Sequence, residues 1–299
     1  MTYPYTRFLA AKRTVDDRAL NSRVLADLRG LLPPGARRVV EIGAGLGTMV
    51  ARLLEWEVLD SGEYVLLDVD RQLLRDSRGW LCGWAGERGV ATELLPDGVR
   101  LGELRVRLVE AEVGDHLASG GGEPADLLIA NAFLDLVDVP AVLPGLLRLV
   151  VPGGAYWFTV NFDGESIFQP DHPADDDVLT AYHRTMDQRV RFGRPAGESR
   201  TGRHLFHHLR SAGAPASSVG ASDWVVHPGP DGAYPDDEAW FLEAILQTVE
   251  DALTGPAAPP GLAGWLAVRR GQLAGGELVY LAHQLDLAGR VPGRRSTPS

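Results

Sequence analysis

Glu41-Ile42-Gly43-Ala44-Gly45-Leu46-Gly47 follows the apolar run Arg37-Arg38-Val39-Val40 and leads into Thr48-Met49-Val50-Ala51-Arg52-Leu53-Leu54. The first run reads as a buried strand and the last as a helix, so the glycines occupy a strand-to-helix turn. Glycine lets the backbone turn tightly there and approach a ligand with no side chain in the way. A dinucleotide-binding turn is spaced Gly-x-Gly-x-x-Gly. Here Gly43, Gly45 and Gly47 alternate, Thr48 stands where the third glycine of that pattern would be, and Glu41 precedes the first. Pyrophosphate is therefore not the expected ligand.

Moving outward, strand and helix signals alternate. Apolar runs at 64–69, 105–112, 125–130 and 155–162 read as strands, with a helix over 140–150 closed by Pro152-Gly153-Gly154. This alternation predicts an α/β fold with a doubly wound, mostly parallel sheet. Before the glycine turn, Leu20, Val24, Leu25, Leu28 and Leu31 give helical spacing over 7–32, ended by Pro33-Pro34-Gly35. After Phe162 the chain turns polar to Gly202, with a helical stretch over 178–190. It then offers strands at 221–227 and 277–287, separated by a helix over 238–254 and a Pro/Ala linker. The late pair suits an antiparallel hairpin at a sheet edge.

Composition narrows the function classes. With 45% hydrophobic and 23% charged residues the chain reads as soluble and globular. A formal charge of −11 repels polyphosphate, so no nucleic-acid partner is expected. Cys82 is the one cysteine, which excludes an internal disulfide framework and any multi-cysteine metal site. The absence of a long apolar run and of a basic-then-apolar leader predicts no membrane partner and a cytoplasmic address. Oligomeric state leaves no trace in the sequence. Lys12 is the sole lysine; arginine supplies the other basic residues.

The glycine turn resembles the first motif of the class I, Rossmann-like S-adenosylmethionine (SAM)-dependent methyltransferases. Further positions match in order. Asp68 ends the Tyr64-Val65-Leu66-Leu67 strand and matches the carboxylate that accepts the ribose hydroxyls; Asp70 is the alternative, and either one can instead cap the next helix. Glu112, followed by Val113, matches the acidic residue at the adenine, with Asp115 as an alternative. The run 125–135 resembles the fourth motif, whose strand end, at Asn131, faces the transferred methyl group.

The resemblance covers 37–162 and implies SAM as cofactor, S-adenosylhomocysteine as product, and cofactor contacts from Glu41, Gly43, Ala44, Gly45, Gly47, Asp68, Glu112, Val113 and Asn131. It implies a seven-stranded sheet with an antiparallel edge hairpin. Flanking this would be a helical lid over 1–34, a catalytic domain over 35–289 with a cover at about 163–202 after the fifth strand, and a disordered tail over 290–299. In many relatives a preceding helix folds over SAM, which makes Arg18, with Arg13 beside it, a candidate for the SAM carboxylate; a solvated helix face is the alternative.

Methyl transfer needs a positioned nucleophile and, for an alcohol, phenol or amine, removal of a proton. Asp135 is one candidate base, with a helix cap as its structural alternative, and His183 in the cover is another. Phe133, Asn161, Tyr182 and Trp224 are candidates for the acceptor pocket, the aromatics being equally suited to core. The chain lacks the Asn/Asp-Pro-Pro-Tyr/Phe signature of base-amine and amide methylation. The triplet His204, His207 and His208 has no His-Glu-x-x-His arrangement, so no metal is expected. The expected activity is methyl transfer to a small molecule. A cyclase or lyase acting on SAM, a SAM-binding protein without turnover and a nicotinamide oxidoreductase are the alternatives.

Overall fold

The computed structural model describes residues 3–35, 37–191, 193–255 and 258–293. In chain order the elements are α1 (Tyr5–Ala19), α2 (Ser22–Leu31), β1 (Arg37–Ile42), α3 (Thr48–Glu55), β2 (Ser61–Asp68), α4 (Arg71–Glu87), β3 (Thr92–Leu95), β4 (Gly98–Leu101), β5 (Glu103–Glu110), α5 (Val113–Ala118), β6 (Ala125–Asn131) and α6 (Val139–Arg148). They continue with β7 (Val150–Gln169), α7 (Asp175–Asp187), β8 (Val190–Arg191), β9 (Arg194–Pro195), α8 (Thr201–Ser211), β10 (Ser218–Ala221), β11 (Trp224–Val226), α9 (Glu238–Ala252), α10 (Leu262–Ala274) and β12 (Val279–Arg290).

The central strands form a parallel block in the order β5-β2-β1-β6-β7. The chain winds from β1 outward through β2 to β5, then crosses to β6 and β7, so strand order reverses between β1 and β6. Ligands of such sheets bind at that switch point, beyond the carboxyl ends of the strands. The carboxyl-end halves of β1 and β2, and most of β6, are buried runs because both faces are covered there, while β5 alternates apolar with charged residues. Val39, Tyr64, Leu66, Leu127 and Ile129 pack toward α2, α3 and α4. Val40, Ile42, Val65, Leu128 and Ala130 pack toward α6 and α8.

Antiparallel strands extend the block at both edges. β12 and β10 lie beyond β7, β4 and β3 lie beyond β5, and β11 also pairs with β12, giving a ten-stranded sheet where seven were expected. A third apolar cluster beyond the sheet gathers α1, α7, α9 and α10 around Phe162, Phe168, Val178, Phe241 and Trp265.

The flanks depart from the expected boundaries. The single helix predicted over 7–32 is two helices, because Asn21 starts a new one by accepting from the backbone N–H of Val24 (3.1 Å). The polar stretch after Phe162 stays in β7 as far as Gln169, held by pairing with β12 from Val279. The cover proper therefore begins after Gln169. The Pro/Ala linker contains α10, and the predicted strand at 221–227 is split into β10 and β11. Of the tail expected to be disordered, Arg290 ends β12 and residues 294–299 lie outside the described residues. No helix among the described residues is long and apolar enough to cross a membrane.

Candidate functional site

The turn after β1 is built by glycine geometry. Gly43, Gly45 and Gly47 have φ of 66°, 54° and 71°, the left-handed region that side chains disfavour. A Cβ on Gly43 would lie 2.3 Å from the Phe133 ring, and one on Gly45 would lie 2.9 Å from Leu9 of α1. The turn is thus overlaid closely by the chain that follows β6 and by the N-terminal helix.

Four of its N–H groups are engaged within the protein. Gly43 and Ala44 donate to the carbonyl of Leu67 (2.9 and 3.2 Å), Gly47 donates to Ala44 (2.9 Å), and Gly45 donates to Oδ2 of Asp68 (2.8 Å).

Asp68 and its sequence alternative Asp70 have separate tasks. Asp70 caps α4, accepting from the N–H groups of Gln72 and Leu73 (2.8 and 3.1 Å). Asp68 is buried at the end of β2 and joins the glycine turn to the next loop, its other oxygen accepting from Asp70 N (2.9 Å). A carboxylate offers about four acceptor positions, so two remain for ribose hydroxyls. A cradle of glycines beside a carboxylate with spare acceptor capacity fits the ribose and amino-acid portions of SAM.

The other cofactor candidates are distributed around this pair. Ala44 is buried within the turn. Glu41 is enclosed behind it, where it accepts from Tyr64 Oη (2.9 Å); burial pushes its carboxyl up to about 8 despite nearby Arg52 and Lys12. It supports the turn from inside and has no open face toward a ligand. Glu112 caps α5 by accepting from Asp115 N (3.0 Å), and Val113 is buried in the first turn of that helix. Asn131 ends β6, its Oδ1 accepting from Thr159 Oγ1 (2.9 Å).

Arg18 does not reach the site. Both of its terminal nitrogens donate to Glu238 of α9 (2.6 and 2.7 Å), a carboxylate wholly enclosed by the protein. The expected pairing with a SAM carboxylate is thereby replaced by a clamp between α1 and α9. Arg13 is likewise engaged, with Glu55 and Asp17.

On the acceptor side, Phe133 and Asp135 follow β6. Asp135 has one carboxylate oxygen fully buried and without a hydrogen-bond partner, and burial raises its pKa against the pull of Arg189 and Lys12. Tyr182 of α7 is in range of the same two charged groups, Asp135 and Arg189; burial lifts its phenol to about 12. Tyr5 of α1 responds in the same way, raised to about 12 by burial and then by Asp68, Tyr3, Asp135 and Asp70. These side chains are partly accessible to water yet strongly desolvated.

His183 lies against Phe162 and Tyr182, with Nε2 at 3.1 Å from Ser166 Oγ, and burial lowers its pKa. Asn161 is buried, donates to Leu285 O (2.8 Å) and leaves its carbonyl oxygen unpaired. Trp224 donates to Asp16 (2.9 Å) and presents its ring to Lys12 (5.3 Å), so this part of the aromatic wall is held by α1. His204 pairs with Glu198 and His207 lies 3.4 Å from Ser211 Oγ.

Sequence reasoning missed Tyr5, Leu9 and Arg189. Their signal was faint: the aromatic Tyr3-Pro4-Tyr5 start of α1, and one arginine among many in the cover. Lys12 was conspicuous as the sole lysine, and it is buried against Asp16 (2.6 Å).

Comparison with known proteins bears on the fold. The sequence matches no family model and no curated protein. Among solved structures, the chain resembles a provisionally assigned methyltransferase of Bacillus halodurans C-125, with a TM-score of 0.52 and 11% identity over 91% of this chain and 100% of that one. The fold is that of a Rossmann-like methyltransferase. A SAM-dependent methyltransferase from Thiobacillus denitrificans, solved with S-adenosyl-L-homocysteine, aligns at 15% identity and a TM-score of 0.46 over 97% of this chain and 99% of that one. One from Geobacter sulfurreducens, also with S-adenosyl-L-homocysteine, aligns at 16% and 0.44 over 91% and 92%. At such identities the likeness carries the architecture alone.

Proposed function

We propose that this chain is a SAM-dependent methyltransferase acting on a small acceptor in the crevice between the strand ends and the cover. The observation that carries the reading is the pairing of Asp68 with the turn at Gly45 beside the topological switch point. It puts a buried carboxylate with spare acceptor capacity beside a glycine turn, four of whose N–H groups are bonded within the protein. Gly43, Ala44, Gly45 and Gly47 would cradle the amino-acid end of SAM, Asp68 would take the ribose, and Glu112 and Val113 would border the adenine. Asn131 would border the reacting end. Bound SAM supplies an electrophilic methyl group on a sulfonium, and S-adenosylhomocysteine remains after transfer.

The protein's contribution is orientation, exclusion of water and proton management. Asp135, with its raised pKa, is the first candidate to take the proton from an acceptor O–H or N–H as the new bond to carbon forms. His183, kept neutral by burial, is the second. Phe133, Asn161, Tyr182 and Trp224 line or border the acceptor space. A net charge of −11 favours a small soluble acceptor over nucleic acid.

The test is incubation of the purified protein with SAM and a small-molecule extract, followed by mass spectrometry. Extract-dependent S-adenosylhomocysteine together with a product heavier by one methylene supports the proposal. Methylthioadenosine in its place would make the chain a cyclase or lyase. Bound but unconsumed SAM would make it a binding protein.

A further inference from the structure

Asp135 and Arg189 leave matching polar atoms unpaired on the acceptor side. Oδ1 of Asp135 and Nη1 of Arg189 are both fully enclosed, and neither has a hydrogen-bond partner. Among the described residues no hydrogen bond or ion pair involves the Arg189 guanidinium at all. Its backbone is nevertheless fixed: Arg189 N donates to Met186 O (3.2 Å), and its carbonyl accepts from Ala196 N (2.9 Å).

Gly197 packs against the backbone of Asp135 and beside the Arg189 guanidinium. Its φ is 108°, and a Cβ there would lie 2.4 Å from the carbonyl oxygen of Asp135 and 3.3 Å from Arg189 Nη1. The cover thus rests on the turn that carries Asp135, with the guanidinium beside it. Tyr182 lies within the field of both charges.

An enclosed donor and an enclosed acceptor left unpaired are each costly. One bound group able to accept from the arginine and donate to the aspartate would satisfy both. A guanidinium offers a planar fork that matches a carboxylate in two parallel hydrogen bonds. Phe133 and Tyr182 add flat apolar surface nearby.

We propose that Arg189 anchors the acceptor, and that the acceptor is a small carboxylic acid bearing a hydroxyl or amine. The carboxylate sits on the guanidinium and the O–H or N–H is presented to Asp135. This rests on the methyltransferase reading above and assigns the substrate class of that site.

The test is calorimetry on the protein saturated with S-adenosylhomocysteine, with acetate, 3-hydroxybenzoate, 3-hydroxybenzamide and phenyl phosphate as probes, for the native chain, Arg189→Gln and Arg189→Lys. The expected result is binding of a carboxylate at millimolar concentration or better. Binding should weaken at least tenfold in Arg189→Gln and be partly restored in Arg189→Lys, with unchanged melting temperature and S-adenosylhomocysteine affinity.

Equal binding of 3-hydroxybenzamide and 3-hydroxybenzoate would overturn the proposal, as would carboxylate affinity indifferent to Arg189→Gln. No binding of either carboxylate at about 10 mM would do the same. Tighter binding of phenyl phosphate would assign a phosphate monoester in place of the acid. Failure of S-adenosylhomocysteine to bind the native chain would remove the methyltransferase reading itself, a separate result.

Discussion

Gly43 and Asp68 carry the strictest demands at the residue scale. Gly43→Ala imposes a left-handed φ on a residue with a Cβ, a cost of about 1 kcal/mol or more. It also drives that Cβ into Phe133. The expected outcome is at least tenfold weaker SAM binding in a chain that still folds, checked by calorimetry alongside circular dichroism. Asp68→Ala removes the acceptor for Gly45 N and Asp70 N as well as for the ribose, and should weaken SAM binding by about 1–3 kcal/mol; unchanged affinity would take Asp68 out of the site. Sequence position favoured Asp68 over Asp70 but left either one able to cap the next helix, because both stand where a strand ends and a helix begins. Only the three-dimensional path shows that Asp70 turns forward onto α4 while Asp68 turns back to the glycine turn.

Among the elements, α1 packs over the glycine turn. Leu9 lies on the glycine turn, Thr6 donates to Asp76 of α4 (2.9 Å), Arg7 pairs with Asp237 (2.9 Å) and Arg18 clamps Glu238. Sequence pattern identified a helical segment before β1, and the family resemblance implied its place as a lid. It assigned Arg18 to the cofactor, because a partner 220 residues away leaves no local signature. Arg18→Ala leaves the enclosed Glu238 with Thr14 as its remaining side-chain hydrogen-bond donor. The expected loss is about 2 kcal/mol, below that of a fully buried pair because Arg18 is half exposed. Lys12, the sole lysine, reports on this helix through amine-reactive labelling read by mass spectrometry. Labelling should be slow in the native chain, slower with SAM and several-fold faster in Arg18→Ala; equal rates in all three would mean that α1 is not a closing element.

At the scale of the whole molecule, the parallel block was legible and the edges were not. β1 and β2 toward their carboxyl ends, β6 and the first half of β7 are mainly apolar because helices cover both faces there. β3, β4 and the far half of β7 are polar or short and persist through strand pairing, a long-range property. Burial of acids at the centre of this assembly also sets its response to pH. Glu41 is raised from 4.5 to about 8 and Asp286 from 3.8 to about 6, both chiefly by desolvation. In that range the folded chain holds protons that the unfolded chain has released, so these two groups make stability fall as pH rises from about 4 to about 8. Glu41→Gln, which cannot ionise, should flatten that slope, as measured by urea unfolding at several pH values; an unchanged slope would mean that Glu41 is ionised in the folded state. The central claim is that the turn at 43–47 and Asp68 hold SAM and not a dinucleotide. It is tested most directly by isothermal titration of the purified protein with SAM, S-adenosylhomocysteine and NAD. Micromolar binding of the first two with none of NAD is the predicted result, and binding of NAD with no response to SAM would contradict it.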